Sequence, residues 1–418
     1  MRQDLRREAV AGVTTFFTMA YIVVVNPSIL SSGAGMPFSG VMTATVLLSA
    51  SMTLLMGLYA DLPFAVAPGM GLNAFFAYTI VAGRGVPWPQ ALGIVFWAGV
   101  LFAAISLTPL RARLAAGIPR NLRTAAAAGI GLFLTFIGLK NAGLVAADPV
   151  TLVKMGALGK PALLCVAGLL VTVWLLARKS PFAFLAGMAG VTAAGWALGL
   201  VKPPATWLSR PDFSLILSLS PGAALRPALW PAVLSILLTD LFDSISTFVG
   251  VSQACGLLDE KGEPRNLQKG LLVDAFATLG AGLLGTSSGT AYIESSAGIE
   301  AGGRTGLTSV VTGLCFLPCL FLAPAAAFVP PFATAPVLIL VGALMFRSVG
   351  ALDLSRIEDA VPAFLTLALI PLTFSITQGL LWGFVAHAAL YAITGRAREV
   401  TPLSWGLAAV SAATLGAA

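Results

Sequence analysis

Charge and histidine are what this sequence has least of. Of 418 residues only 10% are charged and one is histidine, whereas 58% are hydrophobic and the mean hydropathy is +0.93. No stretch is polar enough to form a soluble domain. A single histidine with no HExxH or GxSxG context leaves neither metal-ligand spacing nor a nucleophile–base pair for an enzyme. The four cysteines (Cys165, Cys255, Cys315, Cys319) include no CxxC pair; Cys315 and Cys319 sit in an apolar run with no histidine nearby, which fits packing rather than a metal or a disulfide. His387, between Ala386 and Ala388, fits helix packing or an interhelical hydrogen bond better than a proton relay. The net charge of +7 is not clustered with aromatics on a polar face, which excludes nucleic acid as a partner.

What is present is a series of apolar runs long enough to cross a bilayer as helices. They lie near 11–30, 38–59, 62–82, 88–108, 122–142, 160–178, 181–200, 228–252, 268–284, 286–301, 304–325, 333–346, 358–375 and 378–395, about fourteen spans. The fold class expected is an all-α polytopic membrane protein. Arg2, Arg6 and Arg7 precede the first run, which lacks a small-residue cleavage site and continues into Asn26-Pro27, so it reads as a retained span rather than a signal peptide. Basic residues recur in every second connection: Arg111, Arg113, Arg120 and Arg123; Arg178 and Lys179; Lys261, Arg265 and Lys269; Arg304; Arg347 and Arg356; Arg396 and Arg398. This is the positive-inside pattern of an even span count, and it puts both termini on the cytoplasmic side of the cell (plasma or inner) membrane.

Against that background four of the seventeen acidic residues stand out, because Asp240, Asp243, Asp274 and Glu294 lie inside apolar runs within the window 239–304. An ionisable group at bilayer depth costs roughly 2.5–3.5 kcal/mol on insertion scales, so it faces a cavity, a partner or a substrate. Other acids, such as Asp4, Asp61, Asp148, Asp212, Glu263 and Asp359, fall at chain ends or between runs.

The third and tenth runs are interrupted. One carries Pro68, Gly69 and Gly71 and the other Ser287, Ser288 and Gly289, and each becomes helical only midway, so each reads as an extended piece followed by a half-helix. Irregular backbone at membrane depth survives only where protein or a water-filled cavity satisfies it. Third and tenth of fourteen are matching places in two halves of seven, and an odd repeat inverts the second half in the membrane. Matched interruptions of this kind point to a transporter's binding site, with Asn73 and Glu294 in the first turns of the two half-helices.

The segments TTFFTMAYIVVVNP (14–27), APGMGLNAF (67–75), TDLFDSI (239–245), YIESSAG (292–298) and GGRTG (302–306) resemble the AzgA-like purine permeases, members of the nucleobase/cation symporter (nucleobase-ascorbate transporter) superfamily with the uracil and xanthine permeases. The resemblance runs from about residue 5 to 395 with the motifs in order. It implies two intertwined inverted repeats and a division into core domain (1–121, spans 1–4; 228–330, spans 8–11) and gate domain (122–227, spans 5–7; 331–395, spans 12–14), followed by a tail, 396–418. It also implies proton-driven uptake of purine bases (adenine, guanine, hypoxanthine) by alternating access. The family's carboxylates of spans 8 and 10 fall on Asp243 and Glu294, the polar residue of span 3 on Asn73, and an acidic position of span 9 on Asp274. Thr14 and Thr15 stand where uracil and xanthine permeases carry Gln-His, and Thr247 at their span 8 histidine, which argues against a xanthine pattern; Ser246 replaces an expected glycine.

A purine is a flat ring with donors and acceptors on its edges. Glu294 is the expected clamp for ring or exocyclic N–H groups. Backbone N–H groups near Gly69 to Gly71 and from Gly289 through Thr290 to Ala291 are expected to meet the acceptors, with Phe75, Phe76 or Tyr292 as a ring face. The substrate set is then Glu294, Asn73, Asp243, Gly71, Ala291, Phe75, Tyr292 and Thr290. Asp243, Glu294 and Asp240 form the proton-coupling set, because neighbouring buried carboxylates hold a proton near neutral pH; Asp274, Thr247 and Thr18 are expected to support it. The partners expected are a purine base, a proton (in second place Na⁺) and the lipid bilayer, with a homodimer left open; no cofactor or metal is expected. An anion transporter of the same fold is the first alternative, opposed by Glu294, which would repel an anion. A membrane enzyme or a channel is the second.

Overall fold

The computed structural model describes residues 2–108, 118–258 and 264–416. The basic positions Arg111, Arg113 and Lys261, and Glu263, lie outside them. Nine helices among the described residues are long and apolar enough to cross a membrane. Spans 1, 2, 4, 5, 6, 8, 9, 12 and 14 are these helices; the shorter apolar helices Met70–Gly83, Ala183–Ala197 and Gly306–Phe321 form spans 3, 7 and 11. Span 10 is the interrupted segment ending in Ser295–Glu300, and span 13 is Ile357–Leu372. The protein is a multi-pass membrane protein. Proline opens several spans, at Pro89, Pro161, Pro231 and Pro331, where its missing N–H leaves no bond unmade.

The packing partners repeat when every span n is exchanged with span n + 7. Span 2 (Phe38–Leu58) packs on span 11, and span 9 (Leu267–Leu284) on span 4 (Trp88–Ser106). Span 1 packs on span 11, and span 8 (Trp230–Cys255) on span 4. Span 6 (Lys160–Ala177) meets span 7 as span 13 meets span 14 (Ile376–Ile393), and spans 5 (Arg120–Asn141) and 12 (Pro331–Phe346) meet each other. A seven-span repeat reverses direction in its second copy, so this symmetry is that of two inverted, intertwined repeats. In a membrane, where apolar surface alone does not drive association, close backbone approach does the holding. A Cβ on Gly57 of span 2 would sit 2.3 Å from the carbonyl oxygen of Gly306 on span 11, and one on Gly131 of span 5 would sit 2.5 Å from that of Gly342 on span 12.

Some details depart from the simple run pattern. Span 1 is two helices, Arg2–Met19 and Ile22–Ala34, with a break that leaves Tyr21 outside regular helix. Span 11 tightens at Pro318 into the turn Leu317–Phe321 and gives way to a short helix, Ala323–Ala327. A hairpin, Val145–Asp148 with Leu152–Met155, connects spans 5 and 6. The tail forms a helix, Pro402–Gly416, packed on span 14 and tethered by the Arg396–Glu358 ion pair at 2.9 Å. The four cysteines are free, and the His387 ring packs on Tyr391 at 4.5 Å.

Candidate functional site

Spans 3 and 10 are both interrupted by an extended segment, and the two segments meet. Val66–Pro68 pairs antiparallel with Gly289–Ala291, in the register Val66 to Ala291, Ala67 to Thr290 and Pro68 to Gly289. The ladder continues as Tyr292 N–H donates to the Ala65 carbonyl (2.9 Å) and Gly69 N–H to the Ser288 carbonyl (2.9 Å). Each unwound piece therefore satisfies the other's backbone, which lipid would not. Hydroxyls complete the job: Thr53 of span 2 accepts from Val66 N–H (2.9 Å) and donates to its carbonyl (3.0 Å), and Thr278 of span 9 donates to the Gly289 carbonyl (3.1 Å). Thr53 and Thr278 come from spans exchanged by the repeat.

Beyond the crossing the chain becomes helical again, from Met70 in span 3 and from Ser295 in span 10. The first half-helix is α over Met70–Ala74 and continues with wider, π-type turns over Phe75–Gly83, an irregularity that frequently accompanies functional sites. Glu294 occupies the N-cap position of the second.

A cavity of about 300 Å³ lies against this crossing, within the size range of small-ligand pockets. One wall is Gly69, Met70 and Gly71 of span 3 and Thr290 through Glu294 with Ser296 of span 10; Asp243 and Thr247 of span 8 and Thr18 and Tyr21 of span 1 close that side. Leu176, Phe184, Val341, Leu344, Met345 and Arg347, from spans 6, 7 and 12, face them. Glu294 Oε1 accepts a hydrogen bond from the Tyr21 hydroxyl, which fixes the carboxylate at the cavity wall. The Thr290 hydroxyl hydrogen-bonds Asp243, and the Tyr292 hydroxyl donates to the Pro68 carbonyl, tying span 10 to span 3. Phe184 packs on Tyr21 with ring centres 4.9 Å apart.

The structure thus brings Glu294, Asp243, Gly71, Ala291, Tyr292, Thr290, Thr247 and Thr18 to one cavity. Five other expected residues sit elsewhere. Asn73 is wholly buried behind the crossing, where its Oδ1 accepts from the Ser287 hydroxyl; its half-helix turns that face toward span 10, so it ties the interrupted spans together and does not line the cavity. Phe75 and Phe76 are packed in the core on the same half-helix, 1% and 0% exposed, so neither offers a ring face and the aromatic walls are Tyr21, Phe184 and Tyr292. Asp240 faces away from the cavity, its Oδ2 accepting from the Ser288 hydroxyl (2.8 Å) and from Thr278. Asp274 accepts from Ser244, whose Oγ lies 3.4 Å from Thr290 Oγ1, so these hydroxyls connect it to the partner of Asp243. Tyr21, Phe184 and Arg347 carried no sequence expectation as site residues. The one signal was for Tyr21, one of only five tyrosines and part of the 14–27 motif.

The sequence matches the model of the Permease family over residues 6–381. It is 41% identical over 399 residues to the adenine permease AdeP of Escherichia coli (strain K12), covering 95% of this chain and 89% of that protein. It is 42% identical over 410 residues to the guanine/hypoxanthine permease PbuO of Bacillus subtilis (strain 168), covering 96% and 94%. In structure it resembles the transmembrane domain of the cyanobacterium bicarbonate transporter BicA, with a TM-score of 0.69 over 92% of this chain and 98% of that one; at 16% identity this bears on the fold alone. The chain belongs to the permease family, within which its motifs and relatives set it among the AzgA-like purine permeases of the nucleobase/cation symporter superfamily.

Proposed function

We propose that the protein imports purine nucleobases by proton symport, with alternating access to the cavity at the crossing of spans 3 and 10. It is a permease, not an enzyme. The observation that carries the reading is the pair of carboxylates, Glu294 and Asp243, on one wall of a cavity whose other walls are backbone, hydroxyls, rings and aliphatic side chains, with Arg347 at its edge. Glu294 accepts N–H groups from the edge of the base, while the Tyr21 bond holds it in place. The rings of Tyr21, Phe184 and Tyr292 supply flat apolar surface for a flat ligand. Asp243 carries the proton, beside Glu294, where two charges in one poorly solvated site are unfavourable. One proton moving inward down about 100 mV is worth roughly 2.3 kcal/mol, which supports about 40- to 50-fold accumulation. The names of the relatives, adenine and guanine/hypoxanthine permeases, support a purine as the substrate.

Spans 1–4 and 8–11 are the core that grips the base, and spans 5–7 and 12–14 the gate against which it moves. The packing supports this division, since spans 5, 6, 7, 12, 13 and 14 find most of their partners among themselves. The basic ends near Arg178, Arg347 and Arg396 support a cytoplasmic face on the side where Leu176, Met345 and Arg347 form the rim, and with it cytoplasmic termini. An anion substrate, suggested by the likeness to the bicarbonate transporter's fold, is disfavoured by the same two carboxylates. Uptake of radiolabelled adenine, guanine, hypoxanthine, xanthine, uracil and bicarbonate into proteoliposomes, with and without an imposed proton gradient, tests the reading. Concentrative uptake of a purine only with the gradient is the expected result; gradient-independent uptake, or bicarbonate as the transported species, overturns it.

A further inference from the structure

A second, much smaller pocket of about 30 Å³ adjoins the site, with Asp243 in its wall as well as in that of the large cavity. It lies between spans 5, 8 and 14 and is lined by Arg123, Thr239, Phe242, Asp243 and Ser246, with Leu380 closing it. Arg123 comes from the gate side of the molecule, and Thr239 and Asp243 from span 8 one turn apart. Arg123 Nε and Thr239 Oγ1 are both buried and without a protein hydrogen-bond partner. The guanidinium lies 5.9 Å from the centre of the Phe242 ring, and Arg120 stands on the same helix. A buried guanidinium edge and a buried hydroxyl without partners are costly, and water is the ordinary remedy when the space is polar and large enough. A pocket of this volume has room for about one or two waters, each needing two to four polar partners, and the walls supply them.

We propose that Arg123 is the gate-side counter-charge of Asp243, joined to it through water in this pocket, so that ionised Asp243 links spans 5 and 8 and protonated Asp243 releases them. This rests on the reading of Asp243 as the proton site. The other charged or titratable groups around Asp243 are acids like itself, phenols, or remote: Asp240 on its own helix, Asp274 on span 9, Glu294 and Tyr292 on span 10, Tyr21 on span 1, and Arg347 across the large cavity at its exposed rim. Among the described residues, Arg123 is the cation that lines this small pocket with Asp243. It is a positioning residue and does not line the substrate cavity, so it acts on the proton step and not on purine recognition.

The test compares Arg123→Gln, Arg123→Lys and Asp243→Asn in proteoliposomes, reading purine affinity by calorimetry and the pH profile of purine uptake. Arg123→Gln removes the charge that favours the carboxylate, so the proton binds more tightly and the pH midpoint of uptake rises by about one unit. Purine affinity stays at the wild-type value, which also reports an intact fold. Arg123→Lys keeps the charge and holds the midpoint close to wild type. An unmoved midpoint in Arg123→Gln overturns the proposal, and so does lost purine binding, which would place Arg123 in recognition or folding instead. Asp243→Asn separates the two claims: if that variant still concentrates purine, the reading of Asp243 has failed, whereas if it does not and Arg123→Gln behaves as wild type, only the role of Arg123 has.

Discussion

Asp243 and Glu294 on the cavity wall and Asp240 and Asp274 behind the crossing are the same chemical groups, drawn from one window of sequence, yet their surroundings differ in kind. The rear pair is 0% exposed, and each has one oxygen engaged by hydroxyls of neighbouring spans, Thr278 and Ser288 for Asp240 and Ser244 for Asp274. The front pair looks into a space large enough for a small ligand, and Glu294 has one oxygen held by Tyr21. Burial of a carboxylate therefore does not by itself mark a binding residue. What separates the pairs is whether the carboxylate borders the opening, as Asp243 and Glu294 do, or is closed in by protein, as Asp240 and Asp274 are with their Oδ1 atoms buried and unpartnered, and that is decided by which face of spans 8, 9 and 10 each residue occupies.

Glu294→Gln is the substitution that presses hardest on the front pair. The amide replaces one acceptor oxygen with a donor, so either the Tyr21 bond or the contact with a base N–H is lost. Removal of a charged hydrogen bond costs about 1.5–3 kcal/mol, which is roughly a 10- to 150-fold loss of purine affinity. Isothermal calorimetry on the purified variant measures it, and wild-type affinity would remove Glu294 from the site.

Asp243→Asn, next in size, tests the division of labour within the front pair. A permanently neutral side chain still allows the carrier to exchange base for base but has no proton to release. Counterflow of labelled purine is expected to persist while accumulation against a gradient, about 40- to 50-fold at 100 mV in the coupled protein, falls to equilibrium. A variant that still concentrates substrate would assign the proton to another group.

Much of this arrangement was legible in the sequence, for physical reasons that can be named. The bilayer demands long apolar runs, so spans were readable from hydropathy, and it forbids unsatisfied backbone, so Pro68-Gly69 and Ser288-Gly289 mark the two interruptions in the sequence itself. What the residues did not specify was rotation about the short half-helices. Asn73 lies only a few residues past the break, in a half-helix whose rotation sends it to Ser287, while Phe75 and Phe76 turn into the core. The break in span 1 that frees Tyr21 has no glycine or proline at residues 20 and 21, so nothing local announced it. Arg347 read simply as a topogenic charge and Phe184 as one more apolar residue of span 7, because their approach to the cavity is a property of tertiary packing. The tail carried no prior assignment to span 14, although its helix packs there along Ser404, Ala408 and Ser411.

The rear pair answers to stability more than to binding. Asp240→Ala removes the acceptor of Ser288 in a site with no exposure, while Thr278 keeps the Gly289 carbonyl, and loss of a buried hydroxyl's partner costs about 1–3 kcal/mol. The expected outcome is a lower melting temperature in a thermal-shift assay with purine affinity close to wild type. A variant with normal stability and lost binding would erase the distinction between front and rear.

The smallest effect on binding is expected at Asn73, and for that reason it sharpens the comparison most. Its matching place in an interrupted span invites a direct role beside Glu294, yet its side chain meets Ser287 behind the crossing and does not line the cavity. Asn73→Ala therefore removes one neutral hydrogen bond between the two unwound segments, worth about 0.5–1.5 kcal/mol, and leaves every cavity-lining group in place. The Ser287 hydroxyl loses its acceptor, so the cost appears as a modest drop in melting temperature, accompanied by a change in purine affinity smaller than about threefold. Asn73→Asp gives the complementary reading, because it keeps the Ser287 contact while adding charge beside a buried partner, and should destabilise the crossing more than the alanine does. If Asn73→Ala instead weakens purine binding as severely as Glu294→Gln, the two half-helices share the ligand through their side chains, and the backbone of Gly69 to Gly71 is not span 3's principal contribution to the site.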